Sequence, residues 1–245
     1  MIRHIALLVF AGIAGAVPLR ASDPLQTDTI GTTAGKVYIT FVGHGTLSLR
    51  WGEKAILVDP WSKLSGFNEL PKADLILVTH QHGDHLDTTA INSLRTRSTV
   101  ILLTAKCAEV VRGGTIMKNG DVQKVLGLTV EAVPAYNLVH MRPDGTPFHP
   151  KGEGNGYVLT IGSTRIYFAG DTENTPEMNA LKNIDIAFLP MNLPYTMTPE
   201  MVAEAARAFK PKILYPYHYS QTDPSKLAPL LQDSKGIEIR IRNMK

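Results

Sequence analysis

Thr79-His80-Gln81-His82-Gly83-Asp84-His85 follows directly on an apolar run at residues 73–78, and its reading decides what the rest of the chain must be. The run has the composition of a buried strand, so the backbone is expected to leave a rigid element and enter a loop where four of seven residues can hold a metal. In extended backbone, side chains two apart point the same way. His80 and His82 can therefore grip one ion together, while Asp84 and His85, past the small Gly83, can turn toward a second. Neutral imidazole and carboxylate suit Zn2+, with Mn2+ or Fe2+ also compatible. Three of the chain's eight histidines fall within six residues beside an aspartate, more than a solvated turn requires.

Upstream, residues 37–42 and 46–51 read as strands, and Gly52-Glu53 turns the chain into residues 54–58, a β-meander ending at Asp59-Pro60. His44, between Gly43 and Gly45, reads equally as a turn residue and as a neighbour of the site. Asp59 ends a buried strand, where it could accept the second N–H of a ligand histidine. Downstream, Asp87 is a helix cap flanked by a Leu86/Ile91 staple, with Ile91 and Leu94 turned inward. A strand at 99–103, a short helix at 106–111 holding Cys107 and a hairpin over 122–134 follow.

A second loaded segment runs from Ala135-Tyr136-Asn137-Leu138-Val139-His140 through a Pro- and Gly-rich excursion to Phe148-His149-Pro150. A polar loop this long in a chain with so many regular elements is expected to be functional. Beyond a further hairpin, Gly170-Asp171-Thr172 frees an aspartate at a strand end, where it could bridge two cations. A strand at 184–189 opens into the loop Pro190-Met191-Asn192-Leu193-Pro194-Tyr195. Thr198 caps a helix with Pro199 at its first position, a strand at 213–217 ends at His218, and a helix at 227–231 and a strand at 237–241 close the chain. There is no short repeat, yet each half reads as a strand meander followed by helix–strand units.

With 245 residues and 44% hydrophobic content, the chain fits one large α/β domain. A formal net charge of +3 without any basic stripe excludes nucleic acid as the expected partner. Residues 1–21, with Arg3, an apolar stretch at 5–17 and Ala21, read as a signal peptide; Ala14-Gly15-Ala16 is a competing cleavage site. The apolar stretch falls well short of the roughly 20 residues a membrane span needs, so no stable span is expected after cleavage. A polar linker at 22–36 and a single domain at 37–245 would follow, in an exported protein, periplasmic or secreted. Cys107 is the sole cysteine and reads as a small buried apolar residue, leaving stability to core and metal.

His80-x-His82-x-Asp84-His85, the Gly170-Asp171-Thr172 step and His218 after a late strand together resemble the metallo-β-lactamase fold superfamily. Gly43-His44-Gly45, Asp59-Pro60 and Tyr215-Pro216-Tyr217-His218-Tyr219 look most similar to its branch of ascorbate-phosphate lactonases. The resemblance implies an αββα sandwich, two mixed β-sheets flanked by helices, with a dinuclear zinc site along one edge. His80 and His82 would hold one ion, Asp84, His85 and His218 the other, and Asp171 would bridge them. The family's further histidine is replaced here by Ala135-Tyr136-Asn137; His149, held by Pro150 and the following glycines, is the preferred substitute over His140.

The implied chemistry is attack by a metal-bridged hydroxide on a carboxylic ester or lactone, with Asp84 as the catalytic acid-base. Tyr136, Asn137 and Tyr195 are candidate substrate-binding residues, with Asn192 and Tyr219 further possibilities. Cys107 precedes the position where one β-lactamase class has its cysteine ligand, so antibiotic hydrolysis is not expected. A phosphodiesterase and a non-catalytic exported metal- or ligand-binding protein are the alternatives.

Overall fold

Hydrophobic alternation sorts fourteen strands into two sheets in the computed structural model, which describes residues 24–245; the expected signal peptide lies outside the described residues. In the first sheet β1 (Gln26–Thr32), β2 (Gly35–Gly43), β3 (Thr46–Trp51) and β4 (Lys54–Val58) form an antiparallel meander. Parallel to it lie β5 (Ala73–Leu77), β6 (Arg95–Leu103) and β7 (Thr115–Ile116). The second sheet repeats the plan: β8 (Val122–Val125), β9 (Leu128–Ala135), β10 (Gly154–Ile161) and β11 (Thr164–Phe168) are antiparallel. Then β12 (Ile186–Pro190), β13 (Ile213–Tyr217) and β14 (Glu238–Ile239) continue in parallel.

Strands buried on both faces need apolar residues on both. In β5, Leu75 and Leu77 enter the main core, which joins Ile39, Leu49 and Ile56 of the first sheet to Val130, Leu159 and Phe188 of the second. The alternate residues Ile76 and Val78 face outward and pack with Ile91 and Leu94 of α1 (Thr88–Leu94), and with Cys107 of α2 (Ala105–Ala108). Asp87 caps α1 as its sequence predicts, accepting from the N–H groups of Thr89 and Ala90. After α3 (Pro176–Asn179), the longer α4 (Pro199–Phe209) buries Val202, Ala205, Ala206 and Phe209. Pro199 opens α4, and left-handed Lys210 ends it before Pro211. With α5 (Leu227–Leu231) these give two sheets with helices, the αββα sandwich.

The segment 22–36, expected to be a linker, instead contains β1 and begins β2. Its Gln-Thr-Asp-Thr-Ile-Gly-Thr sequence lacks the apolar alternation of a strand, since only Ile30 packs on the core. What fixes β1 is its ladder to β2 and the half-buried Asp28, whose carboxylate accepts from Arg242 Nε at 3.0 Å and Nη2 at 2.8 Å, and from the Tyr215 hydroxyl. The closing strand is also shorter than its sequence predicts, two residues rather than five.

Asp28→Ala removes these charge-assisted bonds and should lower unfolding stability by about 1–3 kcal/mol in urea titration. A loss under about 0.5 kcal/mol would mean that the ladder alone holds β1.

Candidate metal centre

Strands from both sheets end along one edge, and backbone bonds stitch that edge together: His218 N–H donates to His44 C=O at 3.1 Å, and Asn155 N–H to Thr79 C=O at 2.9 Å. Two groups of possible ligands converge there. His80, His82, His149 and Asp171 form one, and His44, Asp84, His85 and His218 the other, with the donor atoms in each group all within 4.8 Å of one another. Asp171, freed at the end of β11 by Gly170 at φ +66°, lies between them. Its Oδ2 faces His149 Nε2 at 3.3 Å and His80 Nε2 at 4.0 Å; its Oδ1 faces His85 Nε2 at 3.5 Å and His218 Nδ1 at 3.9 Å.

Three imidazoles are aimed by a bond at their other nitrogen. Buried Asp59 holds His85 Nδ1 at 2.8 Å, the Thr79 hydroxyl meets His80 Nδ1 at 3.0 Å, and Asn137 Oδ1 meets His149 Nδ1 at 2.7 Å. In each case Nε2 is left to face the centre, the usual way a protein fixes the tautomer of a metal-binding histidine. Gly45 makes room for this packing, because a Cβ there would fall 2.9 Å from His85 Cε1. His44, Asp59 and His218 all sit at positive φ, so the backbone is bent into the left-handed region at three strand ends around the site.

Of the two candidate replacement histidines, the structure brings in His149 and turns His140 away, with His140 Nδ1 2.6 Å from Glu173 Oε1. Asn137, expected to touch substrate, is instead the clamp on His149; its Oδ1 also accepts the His149 N–H, and its side-chain amide donates to Glu173 and to the Tyr195 carbonyl. Tyr136 does not line the cavity: its hydroxyl donates to Glu177 and accepts from Lys151. The Tyr219 hydroxyl likewise serves the C-terminal segment, bonding to Arg242 C=O. Tyr195 and Asn192 do line the cavity, an opening of about 400 Å³ shared with Asp84, His149, Asp171 and His218. A hollow of the same size beside β1 holds only one ion pair of its own, Asp185 with Lys212 at 2.7 Å.

Four participants escaped the sequence reading in whole or part. His44 is both a left-handed turn residue and a member of the second group, its Nε2 2.9 Å from Asp84 Oδ2. Arg142 and Phe148 line the cavity, the guanidinium stacked 5.2 Å over the ring. Glu173 is fully buried and accepts the N–H groups of Leu138, Val139 and His140 at 2.6–2.7 Å, pinning the loop that carries His149. Burial by itself pushes its carboxyl pKa up; these donors and the Asn137 amide outweigh that and hold it below the ordinary value. Its place directly after Gly170-Asp171-Thr172 was the available signal.

The same balance governs the centre. Burial raises and neighbouring histidines lower the Asp84 and Asp171 carboxyls, with a net downward shift that keeps both ionised. Burial also lowers His44, His80 and His82, favouring neutral rings. His85 is the exception: burial lowers it, but Asp171, Asp59 and Asp84 prevail and raise it to about 9. Ionised carboxylates and neutral imidazoles are the state that a divalent cation requires.

A β-lactamase superfamily domain family model matches residues 38–218. A UPF0173 metal-dependent hydrolase from Thermococcus onnurineus is 31% identical over 220 residues, covering 83% of this chain and 96% of that protein. A protein from Parabacteroides distasonis assigned as a metal-dependent hydrolase has a crystal structure that superposes with a TM-score of 0.86 at 46% identity, covering 91% of this chain and all of the other. The diiron β-hydroxylase CmlA from Streptomyces venezuelae shares the fold alone, with a TM-score of 0.65 and 18% identity over 84% of this chain and 52% of its own. The chain belongs to the metallo-β-lactamase superfamily, among its metal-dependent hydrolases.

To bind a cation His85 would have to lose a proton, so Zn2+ affinity should rise about tenfold per pH unit on approaching pH 9 and flatten above it. Calorimetric titration in buffers of different ionisation enthalpy should find about one proton released per chain at pH 7.5. No proton release would show that His85 is already neutral.

Proposed function

We propose that the chain is a dinuclear zinc-dependent hydrolase that cleaves a carboxylic ester or lactone of a small molecule. The observation that carries this reading is Asp171, each of whose oxygens faces a different histidine group. The residues fit a cation at the second group on an independent ground as well: Asp171 Oδ1, on the side that faces His85 and His218, and His218 Nδ1 are buried without any hydrogen-bond partner, which is costly unless something else completes them. In this reading His80, His82 and His149 would hold one ion, Asp84, His85 and His218 the other, with Asp171 shared between them. His44 steadies Asp84 from behind.

Two cations so held would acidify a water molecule and polarise the scissile carbonyl. Asp84 is the most exposed carboxylate of the centre, its side chain 35% accessible beside the cavity, and it is ionised at neutral pH. Its place on the cavity wall, beside where water and the leaving group would sit, is what suits it to take up the proton released from water and return it to the departing alkoxide. Asn192 and Tyr195, on the cavity wall, are donors for the charge that develops on the carbonyl oxygen. Arg142 at the same opening favours a second reading, a phosphodiester, because a guanidinium pairs well with phosphate. Export through residues 1–21 is part of the proposal; among the described residues no helix is long and apolar enough to cross a membrane.

Plasma mass spectrometry of the zinc-loaded protein should find about two ions per chain, falling to one or fewer in Asp171→Ala. With p-nitrophenyl acetate and bis(p-nitrophenyl) phosphate compared side by side, the acetate should be turned over faster. Asp84→Asn should cut that turnover by about 1000-fold with the circular dichroism spectrum preserved. Undiminished hydrolysis in Asp84→Asn would remove it from the mechanism, and preference for the diester would put the second reading first.

A further inference from the structure

Nine large hydrophobic side chains stand exposed among the described residues, and five of them, Leu138, Val139, Met141, Leu193 and Tyr195, belong to the two loops that wall the cavity. The other four, Val110, Ile116, Val122 and Ile241, lie outside these loops and line no part of the cavity. Val139 is the most exposed of all nine at 68%, and it sits three residues from the cavity-lining Arg142.

The two loops form one wall. The Asn137 side-chain amide donates to the Tyr195 carbonyl at 2.9 Å, and the Phe148 ring meets the Tyr195 ring edge-on at 5.0 Å between centroids. Tyr195 lines the cavity and is also 45% exposed, so apolar side chains stand both inside the opening, at Phe148, and at its rim. The rim is also held in place. Glu173 takes the backbone N–H groups of Leu138 and Val139 from beneath, which satisfies the polar backbone inward while both side chains remain at the surface. A connecting loop with no binding duty gains nothing from apolar side chains in water, and clustered exposed ones mark recognition surfaces.

We propose that this rim binds the hydrocarbon portion of an amphiphilic substrate, so that the bond cleaved belongs to a medium- or long-chain acyl ester or lactone. The proposal rests on the ester or lactone reading for the identity of the bond, but not for the binding surface. A chain lying from Phe148 across Tyr195 and outward over Val139 and Met141 would gain affinity with each methylene that it buries. Its reacting group would meanwhile lie at the histidine groups.

The test uses the zinc-loaded protein and sodium decanoate or butyrate below micellar concentration, with calorimetric titration as the readout. Decanoate should bind at least about tenfold more tightly than butyrate. In the Val139→Ser/Met141→Ser double variant, and separately in Leu138→Ser, that preference should shrink toward unity. In parallel, kcat/KM for p-nitrophenyl esters should climb about tenfold or more from acetate to octanoate in the wild type, and the ratio should collapse in the variants. Equal affinity for decanoate and butyrate would overturn the proposal. Sedimentation with phosphatidylcholine–phosphatidylglycerol vesicles, without preference for the monomeric long-chain acid, would overturn it in favour of a membrane-docking rim. Preferential decanoate binding without hydrolysis of any ester would uphold the rim and reject the ester-hydrolase reading instead.

Discussion

Asp59 is the fixed point of the site. Its carboxylate is fully buried and accepts three bonds: from the Thr79 N–H at 2.8 Å, the Thr79 hydroxyl at 2.6 Å and His85 Nδ1 at 2.8 Å. A buried carboxylate is tolerable only when its lone pairs are used, so these three donors and the strand ends that carry them are bound to one geometry. The same Thr79 hydroxyl reaches His80 Nδ1, so one anion at the end of β4 orients an imidazole in each of the two histidine groups. The left-handed backbone at Asp59 itself, φ +42°, is the conformational cost of pointing this side chain inward.

Glu173 plays the corresponding part for the second sheet. Its acceptors organise the start of the loop between β9 and β10, Asn137 passes that order on to His149, and a histidine far from its expected place in the chain reaches the centre. The departure at Ala135-Tyr136-Asn137 is thus repaired from within the loop: the position that lacks an imidazole supplies the amide that clamps the substitute.

Local patterns carried most of the fold. The 73–78 run, the Asp87 and Thr198 caps and the strand–turn punctuation each depend on neighbours in sequence, and the structure follows them closely. β1 was not legible because its strand character comes from the ladder to β2 and from Arg242, 214 residues away, not from its own alternation. The site divides in the same way. The His-rich loop announces itself, and His149 could be favoured by its turn residues. The true partner of the Tyr136 hydroxyl, the clamp role of Asn137 and the Arg142–Phe148 stack depend on side chains brought together by the fold. An isolated His44 between glycines fits a turn and a neighbour of the site equally, and it is in fact both in the turn and at the centre.

The two sheets share a plan, four antiparallel strands then three parallel ones, and each histidine group draws on both. The first takes His80 and His82 from one sheet with His149 and Asp171 from the other; the second takes His44, Asp84 and His85 from one with His218 from the other. Neither half of the chain supplies every member of either group, and each ion would act as a rivet through the seam of the sandwich. Cations that bind only the assembled state stabilise it by mass action. Occupancy of the centre would then register whether the halves have closed correctly, linking quality of folding to chemical competence through the same few atoms.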